Sequence, residues 1–448
     1  MSSIAQGFAN LDRHPDQFTV EALAAVLPQR WICEAISVSG RASERIRHLP
    51  ATLTLWMVIL LGLFRRHSYV NLLELLFEAG RNRRLWAGHG VPSPSALIKA
   101  RDRLGVQPVQ QLFERSAAAW LSQTPGLEFH GHRVLALDGT CIKVPDSVEN
   151  REHFGLPPSG RGRTAYPQAR MISLCDVHTR LCIAARFGPF RRGEVTLARE
   201  LLADVPVGAL VVLDRNFLAY ELLHDLVARG AEFLVRAKAG LRFRVVEVLG
   251  PGDGIVEIAQ PAHWRNARPD LPSSWLFRMI RYLPPGGTEE VCLLTSLVFA
   301  EGLTRRELID LYPQRWQEET GYRELKTQQC AATTITRPTV VRSKSPRRIR
   351  QEIYGLLIAY NAVRMTMADA AMQAGCPPTR ISHTAALERI REAVRDMMQA
   401  ATRRLCERYG HLMAALARLR VPARPGRHYP RAVKTKLSSY PVKAYARA

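Results

Sequence analysis

The sequence predicts an α/β fold: a mixed sheet with helices against it and a β-rich insertion, between an N-terminal helical region and a C-terminal helical region ending in a basic tail. Three observations carry this. From residue 131 short apolar runs of strand length alternate with stretches of helical period. Residues 1–128 show helical patterns only, and between about 238 and 300 strand-like pieces follow one another with Pro and Gly turns between them. At 448 residues and 47% hydrophobic content, the chain can bury cores for two or three domains.

In residues 1–128, helices are expected in ALAAVLPQRWICEAI, in the apolar run LTLWMVILLGLF and in VNLLELLFEAG, whose glycine should stop it before RNRR. The apolar run is only twelve residues before Arg65 and Arg66, too short to span a bilayer, so it reads as a buried helix. No basic segment followed by an apolar core opens the chain, and no secretory signal is expected. SPSALIKARDRLG should begin a helix capped by Ser93 or Ser95, with Lys99, Arg101 and Arg103 at or near one side. That side is either a DNA-contacting face or a solvated basic one.

Residues 129–370 form the expected sheet region. HRVLALDG reads as a strand ending on Asp138, and ARMISLCDV and RLCIAARFG as antiparallel strands around a turn at His178 to Arg180. GEVTLARELLADV is helical, GALVVLD a buried strand ending on Asp214, LAYELLHDLVARG a helix and EFLVRAKAG a strand. The insertion contributes RFRVVEVLG, GIVEIAQ, WLFRMIRYL and VCLLTSLV. A helix opens at Thr304 with Glu307 as a capping box and runs through Lys326. Within it Tyr312, Arg315, Glu319, Tyr322, Arg323 and Lys326 fall at helical steps and line one polar stripe. A basic loop, RPTVVRSKSPRRIR, and the helix EIYGLLIAYNAVRMTM complete this region.

Residues 371–448 are read as a helical region suited to dimerisation or DNA contact. From 424 onward there are seven Lys or Arg and no acid, the composition of a phosphate-binding tail. The whole chain carries 63 Lys and Arg against 40 Asp and Glu, a formal charge of +23, which points to nucleic acid as partner. Eight cysteines without a CxxC pair read as reduced core thiols in the cytoplasm, not as disulfides or a zinc site.

Asp138 and Asp214 each end an apolar β run, where sites form in such sheets, although an acid there also serves as an ordinary turn or cap residue. With Glu319 they make three carboxylates that would repel one another unless a cation joins them. Two Mg²⁺ or Mn²⁺ ions roughly 4 Å apart would resolve this and support phosphodiester cleavage or strand transfer. Asp146, Asp176 and Glu194 sit where turn or helix-start roles suffice, and His178 reads as a turn residue.

LALDGT, VVLDRNF and YPQRWQEETGYRELK together resemble the DDE transposases of bacterial insertion sequences, particularly the insertion-sequence-four family. That family's signature is Tyr, two residues, Arg, three residues, Glu, six residues, Lys, and Tyr312, Arg315, Glu319 and Lys326 match it throughout. The apolar helices near 53–77, SALIKARDRLG and VRSKSPRRIRQEIYGLLIAYNAVR resemble its flanking regions.

The resemblance implies a ribonuclease-H-like sheet and cut-and-paste transposition. Asp138, Asp214 and Glu319 would be the metal ligands, while Tyr312, Arg315 and Lys326 would hold the terminal phosphates of the element. A DNA hairpin with a flipped base is expected, which needs an aromatic platform. Trp316 is the first candidate for it, with Trp264 and Trp275 weaker ones, against a packing role for Trp316. Arg323 is expected to contact phosphate. The implied partners are duplex DNA at terminal inverted repeats, target DNA and a second copy of the chain, in the bacterial cytoplasm at the nucleoid and not at a membrane. A catalytically silent DNA-binding regulator and a nuclease of the same fold are the alternatives.

Overall fold

Prolines, one serine and one glycine punctuate the N-terminal helices. The structure, a computed structural model, describes residues 23, 26–43, 49–82, 90–159, 162–262, 267–285, 289–299, 301–329, 341–400 and 404–422. Helix α1, Gln29–Val38, follows Pro28, and α2, Ala51–Leu63, follows Pro50. Nearly every residue of α2 is buried, as an all-round apolar helix must be. Helix α3, Tyr69–Asn82, runs past Gly80 instead of stopping there, since a helix interior tolerates glycine at a cost of about 1 kcal/mol. Helix α4, Pro94–Leu104, is capped by Ser93 Oγ, which accepts from Ala96 N–H, and closes at Gly105 with φ of 75°. Helix α5, Gln107–Gln123, was not singled out by the sequence pattern; it buries Leu112, Phe113 and Trp120.

Strand β1, His132–Lys143, is longer than expected and runs through Asp138. It continues because β2, Gln168–Asp176, pairs with it antiparallel as far as Lys143 opposite Gln168. Helix α6, Val148–Phe154, lies between these two strands in sequence. Strand β3, Cys182–Pro189, returns beside β2, and helix α7, Glu194–Leu201, follows. Strand β4, Ala209–Leu213, helix α8, Tyr220–Val227, and strand β5, Glu232–Arg236, complete the alternation.

The insertion supplies β6, Arg244–Gly250, β7, Asp253–Ala259, β8, Ser274–Tyr282, and β9, Val291–Thr295. These strands extend the main sheet, because β9 pairs antiparallel with β5. The order is β3-β2-β1-β4-β5-β9-β8-β7-β6, with a short strand at Glu128–Phe129 also on β1. Among the described strands only the β1–β4 and β4–β5 pairs are parallel.

The expected helix from Thr304 to Lys326 is present as a succession of turns. The Thr304–Glu307 capping box opens α9, Arg305–Leu311; a 3₁₀ turn spans Tyr312–Arg315; α10 is Trp316–Arg323; a π-helical stretch covers Glu324–Gln329. Helix α11, Pro346–Gln373, is almost wholly buried, and α12, His383–Gln399, and α13, Leu405–Ala417, pack on it and on each other.

One apolar core joins the N-terminal helices, α11, α12 and one face of the sheet, and a smaller one lies between Val134, Ala136, Leu210 and Val212 and the residues Leu308, Leu311 and Tyr312. Helices α2 and α11 touch backbone to backbone: a Cβ on Gly62 would stand 2.6 Å from Gly355 O, and one on Gly355 2.6 Å from Val58 O. Polar ties surround that contact. Glu352 pairs with Arg65 and accepts from Ser343 Oγ at 2.8 Å, while Arg101 Nε donates to Gln351 Oε1 at 3.2 Å. Arg101 is therefore an internal tie that does not face DNA, whereas Lys99 and Arg103 are exposed. Among the described residues no helix is long and apolar enough to cross a membrane, and the cysteines are free thiols. Trp264 and the 424–448 tail lie outside the described residues.

Candidate active site

The floor of the site is where one ladder ends. β1 and β4 are in parallel register from Arg133 opposite Ala209 to Leu137 opposite Leu213. The next residue on each is an aspartate, so Asp138 and Asp214 stand side by side at the carboxyl ends of adjacent strands. Each is steadied by the next backbone amide: Gly139 N–H donates to Asp138 Oδ1 and Arg215 N–H to Asp214 Oδ1, both at 2.7 Å.

Arg315 joins the helix to this floor. Its Nη1 donates to Asp138 Oδ2 at 3.2 Å and its Nη2 to Glu319 Oε1 at 2.9 Å. The guanidinium is buried, while the Glu319 side chain remains 39% exposed and open to a ligand. Burial is the main reason the Asp138 carboxyl is pushed up to about 6; Gly139 N–H and Arg315 oppose the shift, and the charges of Glu319 and Asp214 add to it.

Three carboxylates are the oxygen donor set that a hard divalent cation prefers, and Asp138 and Asp214 already share a strand end. Among the described residues no three His, Cys, Asp or Glu side chains converge to metal-binding distance in this arrangement, in which Arg315 draws Asp138 and Glu319 to itself. The donors fit a divalent ion chemically, with Arg315 balancing charge between two of the three.

The polar stripe divides because its backbone changes type. In a 3₁₀ turn residues three apart eclipse, so Tyr312 and Arg315 both face the sheet. The Tyr312 ring is buried and its Oη donates to Leu213 O at 3.4 Å, beside Asp214; burial pushes its hydroxyl up to about 12. Lys326, in the π-helical stretch, bonds Thr140 Oγ1, two residues beyond Asp138 and on the same strand face. Its ammonium pKa is lowered, chiefly by burial. Arg323 is exposed and has no ion pair among the described residues. Trp316 is 53% exposed, with the Arg315 guanidinium 4.8 Å from its ring centre, so it does not pack the helix onto the sheet.

Other residues weighed from sequence take structural places. Trp275 belongs to an aromatic cluster with Tyr220, Phe233 and Phe277. Asp146 pairs with Arg151 at 2.7 Å, and Asp176 accepts from Thr179 N–H at 2.7 Å, which closes the turn before β3. Glu194 starts α7 and lies against Gly139.

One residue the sequence reading missed is Glu318, fully buried beneath the site, whose carboxyl is pushed up to about 8, chiefly by burial. The available signal was its spacing: Glu318, Tyr322 and Leu325 share the helical face that turns to the core.

The chain matches two family models. The model described as "Transposase DDE domain" matches residues 129–362, and "Insertion element 4 transposase N-terminal" matches residues 17–114. The chain is 29% identical to the transposase InsG for insertion sequence element IS4 of Escherichia coli (strain K12), over 94% of this chain and 93% of that protein. It is 30% identical to the putative transposase InsZ of the same organism, over 47% of this chain and 69% of that one. To the transposase for insertion sequence element IS231B of Bacillus thuringiensis subsp. berliner it is 24% identical, over 44% of this chain and 40% of that one. A DDE domain matched across half the chain, behind an insertion-element N-terminal region, means that the chain belongs to the DDE transposases of the insertion-sequence-four family.

Proposed function

We propose that this metal-dependent transposase moves its insertion sequence by cut and paste, with Asp138, Asp214 and Glu319 holding two Mg²⁺ or Mn²⁺ ions. The observation that carries the reading is the β1–β4 register, which sets the two aspartates side by side, with Arg315 tying Glu319 to the same point. When bound, such ions activate the attacking water or 3′-hydroxyl and stabilise the leaving oxygen in an in-line displacement at phosphorus.

The protein's own side chains do the rest. Arg315 and Lys326 present positive charge on either side of Glu319 and would take the terminal phosphates, Arg315 by its planar fork. Tyr312 braces the end of β4, and to take a terminal phosphate its hydroxyl would exchange its long bond to Leu213 O for one to the DNA. Arg323, exposed on the solvent side, would add a phosphate contact. Trp316 offers an open ring on which a flipped base of a hairpin end would stack.

The substrate is duplex DNA at the element's inverted repeats, followed by target DNA, handled by a homodimer in the cytoplasm at the nucleoid. Residues 1–128 would bind the element's end, with the exposed Lys99 and Arg103 of α4 as contacts, and 371–448 would serve dimerisation or further DNA contact. The +23 charge supports such a partner.

The test is end cleavage by Asp138→Ala, Asp214→Ala and Glu319→Ala. Each should keep end binding and lose Mg²⁺-dependent nicking. Cleavage retained by any one removes that residue from the site, and binding without nicking in the unmodified protein would favour a silent regulator.

A further inference from the structure

The core side of α10 carries a carboxyl group that the reaction described above leaves unused. Glu318 is 3% exposed, next in sequence to Glu319 but turned toward β2. Its Oε1 meets Ser173 Oγ; Ser173 Oγ lies 2.9 Å from Tyr322 Oη; and Tyr322 Oη donates to the carbonyl oxygen of Asp138 at 2.7 Å. Asp138 is the residue paired with Ser173 across β1 and β2, just past the last parallel pair with β4.

The row ends on the backbone. A carbonyl oxygen only accepts, so the single hydrogen of Tyr322 is committed to Asp138, and Ser173 and Glu318 stand behind the phenol and hold it in place.

We infer that Tyr322, held in place by Ser173 and Glu318, is a positioning residue that fixes the backbone of Asp138 and so the aim of its carboxylate. This rests on the reading of Asp138 as a residue of the reacting centre. Three buried side chains from one helix and one strand hold a single carbonyl, at the one of the three site acids that lies inside a strand.

The experiment uses the full chain with a duplex carrying the inverted repeat that brackets the reading frame, and measures end binding and first-strand cleavage at saturating DNA with Mg²⁺. Tyr322→Phe, Ser173→Ala and Glu318→Met should each slow cleavage about tenfold while end binding changes by less than about twofold, the loss of one oriented hydrogen bond. Glu318→Gln should cleave close to the unmodified rate, because its carboxamide keeps a hydrogen-bond partner for Ser173. The double variant Ser173→Ala with Tyr322→Phe should be no slower than Tyr322→Phe alone.

Unmodified cleavage by Tyr322→Phe, or equal impairment of Glu318→Gln and Glu318→Met, overturns the inference. If Glu318→Met does not fold by circular dichroism, Ser173→Ala and Tyr322→Phe decide the matter. Asp138→Ala separates the two levels: if it cleaves normally, the reading of the site fails, whereas if it is inactive while Tyr322→Phe is normal, only the positioning role fails.

Discussion

Arg315 holds one carboxylate on a strand and one on its own helix, and only a planar fork reaches both at 3.2 and 2.9 Å. Lysine at this position could serve one acid at a time. Arg315→Lys is therefore expected to slow end cleavage by about tenfold or more, with hairpin yield measured on gels falling in step. Trp316 gives the opposite case, because so much of its ring is open. Trp316→Ala should shift the unfolding free energy by no more than about 0.5 kcal/mol, yet remove hairpin formation while nicking persists; equal loss of both steps would assign it a part in cleavage itself. Residues of this kind were readable because each acid follows an apolar run or keeps a fixed spacing from Tyr312, Arg315 and Lys326. Glu318 was not, since its meaning depends on Ser173, which lies 145 residues away in sequence.

Among the elements, the succession of strands and helices along the chain was legible wherever period and punctuation agreed, as at the Thr304–Glu307 box and at Ser93. The end of β1 was not, because a strand stops where its last partner stops, and β2 lies further along the chain. The contact of α2 with α11 was equally hidden, since neither glycine differs in sequence from a flexible one. Gly355→Ala should cost about 1–3 kcal/mol in a denaturant melt, because the added methyl group meets the backbone of Val58. Acid should also weaken this junction. Burial alone would raise the Glu352 carboxyl, but Arg65 and Arg101 outweigh it and hold it at about 2, against 4.5 for an ordinary glutamate. A depressed carboxyl contributes stability that is present above pH 4.5 and lost as the pH falls toward 2. Urea midpoints should therefore drop through that window, and Glu352→Gln should flatten the drop while lowering stability at pH 7 by about 3–5 kcal/mol through the loss of the buried Arg65–Glu352 ion pair.

For the whole molecule, charge and packing act at different ranges. The +23 charge governs encounter with DNA and its dependence on salt. Ending the chain at Pro422 removes seven Lys and Arg and no acid, and should lower the slope of log affinity against log salt for a non-specific duplex by up to about six. An unchanged slope would mean that the tail makes no phosphate contacts. Packing, by contrast, is shared between distant parts of the chain: α2 meets water on almost no side, and what covers it is largely α11. Residues 1–128 expressed alone should accordingly aggregate instead of yielding a monomeric binding module. The same contact limits how such genes can recombine. A crossover between two relatives at residue 128 would set a first helix layer from one parent against an α11 from the other, with glycines and side chains shaped for a different neighbour. Functional chimeras should arise where residues 346–373 are inherited together with the N-terminal helices, although the length of the catalytic sheet separates them in the reading frame.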